Sequence, residues 1–211
     1  MAKRKKKAEP AMTEAEWLAQ TNPLPMVEFV RNHARATPRV VRLYLAVFWD
    51  WQSMRLLTPP EQQRLKKRAA MVERWAEKDK PPRGLRSAQN SNVVFFNEDA
   101  GTAFFETARA PTYWGERGNE ASLIQPHFLR EIFGPHPFRE NLVAHPDWLT
   151  STVVALATGI YEDRAYDRMP YLADAVQDAG CNDAEILDHL RDSTITHLRG
   201  CWVLDLLLQK A

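Results

Sequence analysis

Apolar residues along the chain recur mostly at helical spacing, in stretches opened by capping residues and prolines. Thr13 with Glu16 reads as a capping box, and Trp17 and Leu18 begin a short buried face behind it. Asn22 and Pro23 close that helix. Pro25 stands in the first turn of the next, where Met26, Val27, Phe29 and Val30 face inward. Thr37 and Pro38 open the strongest pattern in the chain. Val40, Val41, Tyr44, Val47, Phe48 and Trp51 form one stripe, and Leu43, Leu45 and Trp49 widen it beyond what one neighbour covers, so this helix is expected at the centre. Thr58, Pro59 and Glu61 start a surface helix with Leu65, Ala69, Val72 and Trp75 on its inner face.

Periodicity fails from Asp79 to Asn92, where turn formers dominate. Val93, Val94, Phe95, Phe96, Phe104 and Phe105 suit either a strand or a buried helical turn. Pro111 to Asn119 reads as a loop, and Pro126 is expected to open a helix over Phe128, Leu129, Ile132 and Phe133, stopped by Gly134 and Pro135. Three short helices follow, one on Val153, Leu156, Ala157, Ile160 and Tyr161, a second capped by Asp167, and a third begun by Asn182 and Glu185. An apolar end runs from Trp202 to Leu208. The fold class that follows is mainly α, a compact bundle of short helices with an irregular middle segment. Its expected divisions are a disordered basic tail (1–12), an N-terminal helical part (13–78), a linker with an aromatic segment (79–121) and a C-terminal helical part (122–211) packed with 13–78 as one domain.

Composition supports folding: 45% hydrophobic and 26% charged residues is an ordinary globular balance. With two cysteines, Cys181 and Cys201, no disulfide framework is available, and no apolar run is long enough for a membrane span or a secretory leader, which points to a cytoplasmic protein. Lys3, Arg4, Lys5, Lys6 and Lys7 against Glu9 put the first eleven residues at +4, so within a net charge of +1 the remainder stands at −3. Nucleic-acid binding through that tail is the weaker alternative, because phosphate recognition requires a coherent basic face and Glu61, Glu73 and Glu77 dilute the patch at Arg64, Lys66, Lys67 and Arg68.

Two blocks carry a family resemblance. One is MTEAEWLAQTNPLPMVEFV (12–30) with the following helix to Leu57. The other runs from FLREIFGPHPFR (128–139) through DWLTSTVVALATGIYEDRAYDRMPYLADAVQDAGCNDAEILDHLR (147–191) to HLRGCWVLDLLLQK (197–210). Together they resemble a family of planctomycete hypothetical proteins of uncharacterised activity, which usually open at the methionine matching Met12 and have an alanine-rich middle. The resemblance implies a helical fold and a bacterial cytosolic setting, and it transfers no catalytic residue.

The sharpest chemical constellation is Cys181, His189, His197 and Cys201, four side chains of the kinds that bind zinc. Their spacing lacks the close cysteine pair and close histidine pair of structural zinc motifs, so small buried cysteines are the expected reading, with no cofactor. His197 and Cys201 are also the centre of an alternative reading as a metal- or thiol-dependent hydrolase. The acids Glu162, Asp163, Asp167, Asp174 and Asp178 read as a solvated face, and no calcium-loop, phosphate-loop or dinucleotide motif occurs. The expected function is therefore a non-catalytic helical module that binds another protein. Trp75, Tyr113 and Trp114 are its expected contact residues, since surface aromatics supply much of the binding energy at interfaces.

Overall fold

The computed structural model describes residues 12–31, 36–56, 58–78, 80–81, 116–139 and 142–210. Lys3 to Lys7, Tyr113, Trp114 and the apolar stretch from Val93 to Phe105 lie outside the described residues. Within them the chain is helical and contains no strand. The helices are α1 (Glu14–Ala19), α2 (Pro23–Arg31), α3 (Pro38–Leu56), α4 (Pro59–Lys78), α5 (Glu116–Phe133), α6 (Ser151–Asp163), α7 (Met169–Asp178), α8 (Ala184–Arg191) and α9 (Trp202–Leu207). Short 3-10 turns at Pro146–Trp148 and Tyr166–Arg168 precede α6 and α7. None of the described helices is long and apolar enough to cross a membrane.

The capping chemistry sets the starts. Glu16 N donates to Thr13 Oγ1 and Thr13 N to Glu16 Oε2, at 3.3 and 2.8 Å, completing the box that opens α1. Thr58 N donates to Glu61 Oε2 at 3.0 Å ahead of α4. Asp183 caps α8 by accepting from Glu185 N and Ile186 N, one position beyond the expected Asn182. Asp167 caps nothing. It sits inside the 3-10 turn, and α7 follows from Arg168 without a side-chain cap.

The start of α5 differs most from expectation. It begins at Glu116, inside the stretch read as loop and linker, and carries Pro126 in its interior. A mid-helix proline deletes one backbone hydrogen bond and is normally costly. The packing here overrides that preference, because Gln125, Phe128, Leu129, Ile132 and Phe133 are all buried around it and Tyr44 donates to Gln125 Oε1 at 2.9 Å.

Two apolar clusters result. The first joins Trp17, Met26, Val27, Val30, the inner face of α3, Val72 and Trp75 to Phe128, Leu129, Ile132 and Phe133. Its centre is α3, as the wide stripe predicts, packed against both α4 and α5. The second is built by α6 to α9 around Val153, Ile160, Leu172, Val176, Ile186, Leu190 and the apolar C-terminal end. Trp75 belongs to the first cluster. It is only 6% exposed and the Arg42 guanidinium lies 4.0 Å over its ring, which corrects the expectation that it reaches the surface.

Polar groups occupy the seam between the clusters. Arg39 on α3 forms a two-pronged pair with Asp205 on α9, Nη1 to Oδ2 at 2.7 Å and Nη2 to Oδ1 at 3.0 Å, and also donates to Tyr161 Oη at 2.9 Å. Tyr161 Oη donates to Glu77 Oε1, whose other oxygen accepts from Lys210 Nζ at 2.9 Å. Burial works against the Arg39 charge, but Asp205 outweighs it and leaves the guanidinium more firmly protonated than usual. Glu77 is likewise pushed up by burial, then brought below the ordinary carboxylate value by Tyr161, Lys210 and Arg39.

Gly134 fixes the approach of α9 to α5. It ends α5 with φ +51°, its N–H donates to Arg130 O at 2.8 Å, and a Cβ there would stand 2.4 Å from Trp202 Cγ. Gly134→Ala therefore combines left-handed backbone strain with displacement of a buried indole. The expected cost is about 2–3 kcal/mol, read as a lowered midpoint in urea unfolding with an unchanged m-value.

Candidate metal centre

Four side chains from four places in the chain converge at the seam. Glu131 projects from the last turn of α5, His189 from the last turn of α8, His197 from the loop after it, and Cys201 from the position preceding α9. One potential ligand atom from each lies within 4.8 Å of all the others. His197 Nδ1 is 3.0 Å from Glu131 Oε1, His189 Nε2 is 3.4 Å from Glu131 Oε2, and His189 Nε2 is 3.2 Å from Cys201 Sγ. In a tetrahedral zinc site with ordinary bond lengths, neighbouring donors stand about 3.3–3.8 Å apart. The three contacts at 3.0–3.4 Å stand close to that spacing, and the four potential ligand atoms as a set lie within 4.8 Å of one another.

Three of these residues were legible as chemistry in the sequence. Cys181 is not among the four: it is buried within the second apolar cluster, and Glu131 takes its place. Glu131 belongs to no motif in the sequence, because it falls inside the apolar stripe of α5, between Leu129 and Ile132. An acid on the buried face of a helix was the available signal. The pairing within the cluster also differs from the sequence reading. His197 turns to the carboxylate, and His189, not His197, stands beside the thiol.

The four side chains are largely closed off from solvent. Glu131 is 2% exposed, Cys201 is fully buried, and the His189 and His197 rings pack against each other with centroids 5.1 Å apart while Trp202 covers His189 at 5.2 Å. Burial drives the His189 pKa down to about 4, with Glu131 partly opposing it. The imidazole is thus neutral near pH 7, the form that donates a lone pair to a metal. Burial also pushes the Cys201 thiol well up, reinforced by the Glu131 charge and opposed by the amides of Val203 and Leu204. A protonated, inaccessible thiol is a poor nucleophile, whereas metal coordination deprotonates it outright.

Comparison with protein-family models, curated proteins and solved structures gives no match.

Proposed function

We propose that this protein is a zinc-binding helical protein in which Glu131, His189, His197 and Cys201 hold one ion. The observation that carries the reading is a deeply buried carboxylate whose close partners are two imidazoles and a thiol, with no lysine or arginine paired to it among the described residues. Buried charge demands compensation, and a divalent cation supplies it while turning all three other side chains into ligands. One sulfur, two nitrogens and one oxygen favour zinc over hard cations such as magnesium or calcium.

Four protein donors fill the coordination shell, which is the pattern of a structural centre and not of a catalytic one with an open position. Its role follows from the chain positions of the ligands. Glu131 belongs to the first apolar cluster's side of the seam and the other three to the side of the second, so the ion clasps the two together. The non-catalytic reading of the sequence is kept, with a metal as the bound species; of the expected contact residues, Trp75 is buried, and Tyr113 and Trp114 lie outside the described residues.

Protein purified without an affinity tag or chelator is expected to contain one zinc per chain by elemental analysis. Cobalt substituted into the site should show the intense visible bands of tetrahedral coordination and a thiolate-to-metal charge-transfer band. Cys201→Ser should abolish the charge-transfer band, and Cys181→Ser should leave it intact. Retention of no metal, or a thiolate band that follows Cys181, would sink the proposal.

A further inference from the structure

A cleft of about 220 Å³ lies along the same seam, walled by α3, α4 and α5 on one side and by the 164–166 turn and 196–199 loop on the other. Its lining is of two kinds. Val47, Trp51, Phe128 and Leu198 make an apolar wall, and Lys66, Arg164, Tyr166 and Arg199 bring polar donors to it. The acids at the cleft are Asp50 and Glu73.

Glu73 serves two guanidiniums at once. Arg164 Nη2 reaches its oxygens at 2.7 and 2.8 Å, and Arg199 Nη1 reaches it at 3.0 Å. Among the charged side chains that line the cleft, Lys66, Arg164 and Arg199 outnumber Asp50 and Glu73 by one, which leaves a surplus of positive charge. Two buried donors are also left over: Tyr166 Oη and Arg199 Nε have no hydrogen-bond partner among the described residues. Buried polar atoms are normally satisfied, and each one left unpaired costs free energy. Both belong to residues that line this cleft. An acceptor carrying one negative charge would satisfy the two donors and the charge surplus together.

We propose that the cleft binds a monocarboxylate with a compact apolar body, its carboxylate received by Tyr166 Oη and Arg199 Nε and its body by Val47, Trp51 and Phe128. Small-molecule sites combine a largely apolar lining with a few polar groups, and this cleft sets an apolar wall beside two unpaired donors. The donors are not ligands of the proposed zinc ion, although His197 borders the cleft as well. The inference therefore stands on its own residues.

The test is calorimetric titration of the full-length, metal-replete chain with benzoate, benzamide, phenyl phosphate and acetate. Benzoate should bind saturably with a Kd of about 1 mM or tighter, in keeping with its small size. Benzamide, which lacks the charge, and acetate, which lacks the body, should each bind at least roughly tenfold more weakly. Tyr166→Phe should weaken benzoate roughly tenfold, because it removes one hydrogen bond to a charged group. The same variant should unfold no earlier than the parent without ligand, since its hydroxyl holds nothing in place. Absence of saturable benzoate binding, equal binding of benzamide, tighter binding of phenyl phosphate, or a Tyr166→Phe variant with undiminished affinity would each overturn the proposal. Elemental analysis of the same sample reports on the zinc separately, so failure of one reading is not mistaken for failure of the other.

Discussion

Arg39→Met is expected to destabilise the protein by about 3–5 kcal/mol, the usual cost of removing one partner from a buried, hydrogen-bonded ion pair. Arg39 is mostly covered, with 14% of its side chain exposed against 10% for Asp205, so solvent screening relieves little of the loss. Its removal leaves Asp205 without its two-pronged donor, in a setting where burial already pushes the carboxyl pKa above its ordinary value. Tyr161 and Glu77 also lose a contact to Arg39, at 2.9 and 3.3 Å, but they keep each other and Lys210 as partners, so the damage centres on Asp205. The double variant Arg39→Met with Asp205→Leu should recover more than half of the loss, because an apolar pair of similar volume no longer strands a charge. Urea unfolding of the parent, both single variants and the double variant closes the cycle. A double variant no more stable than Arg39→Met would mean that the seam depends on the charges themselves.

Helix positions were legible in the sequence wherever capping residue, proline and apolar stripe agreed. Thr13, Thr37 and Thr58 each precede a helix, and the wide stripe from Val40 to Trp51 marks the central one. The start of α5 was not legible, because Pro126 is a local stop signal and only burial of Gln125 and Phe128 against α3 explains its place inside a helix. The candidate site was half legible. His189, His197 and Cys201 announce their chemistry by residue type, but no spacing rule links them, since each comes from a different element. Glu131 is separated from His189 by most of the C-terminal part, and only the packing of α5 on α9 brings it to them. The same reasoning explains Trp75. Aromatic surplus cannot be assigned to core or surface from a single helix face, and here the Arg42 side chain completes the cover.

Acidification of the chelator-treated protein from pH 6.5 to pH 4 is expected to remove about 3 kcal/mol of stability through His189 alone. Its pKa falls from 6.5 in the unfolded chain to about 4 in the fold, chiefly by burial. Between those values the unfolded chain binds the proton and the folded one does not. The contribution is therefore fully present above pH 6.5, shrinks as pH falls through that window, and is lost once the folded pKa is passed. His189→Gln, which cannot titrate, should flatten the pH dependence over this interval, and urea midpoints at half-unit steps would measure it. In zinc-loaded protein, protons compete with the ion for His189, His197 and Cys201, so the same interval should show a steeper decline accompanied by zinc release. A loss confined to pH below 4, in either form, would mean that the His189 imidazole is protonated in the native fold and that Glu131 already has its counter-charge, which removes the physical ground for a metal at this site.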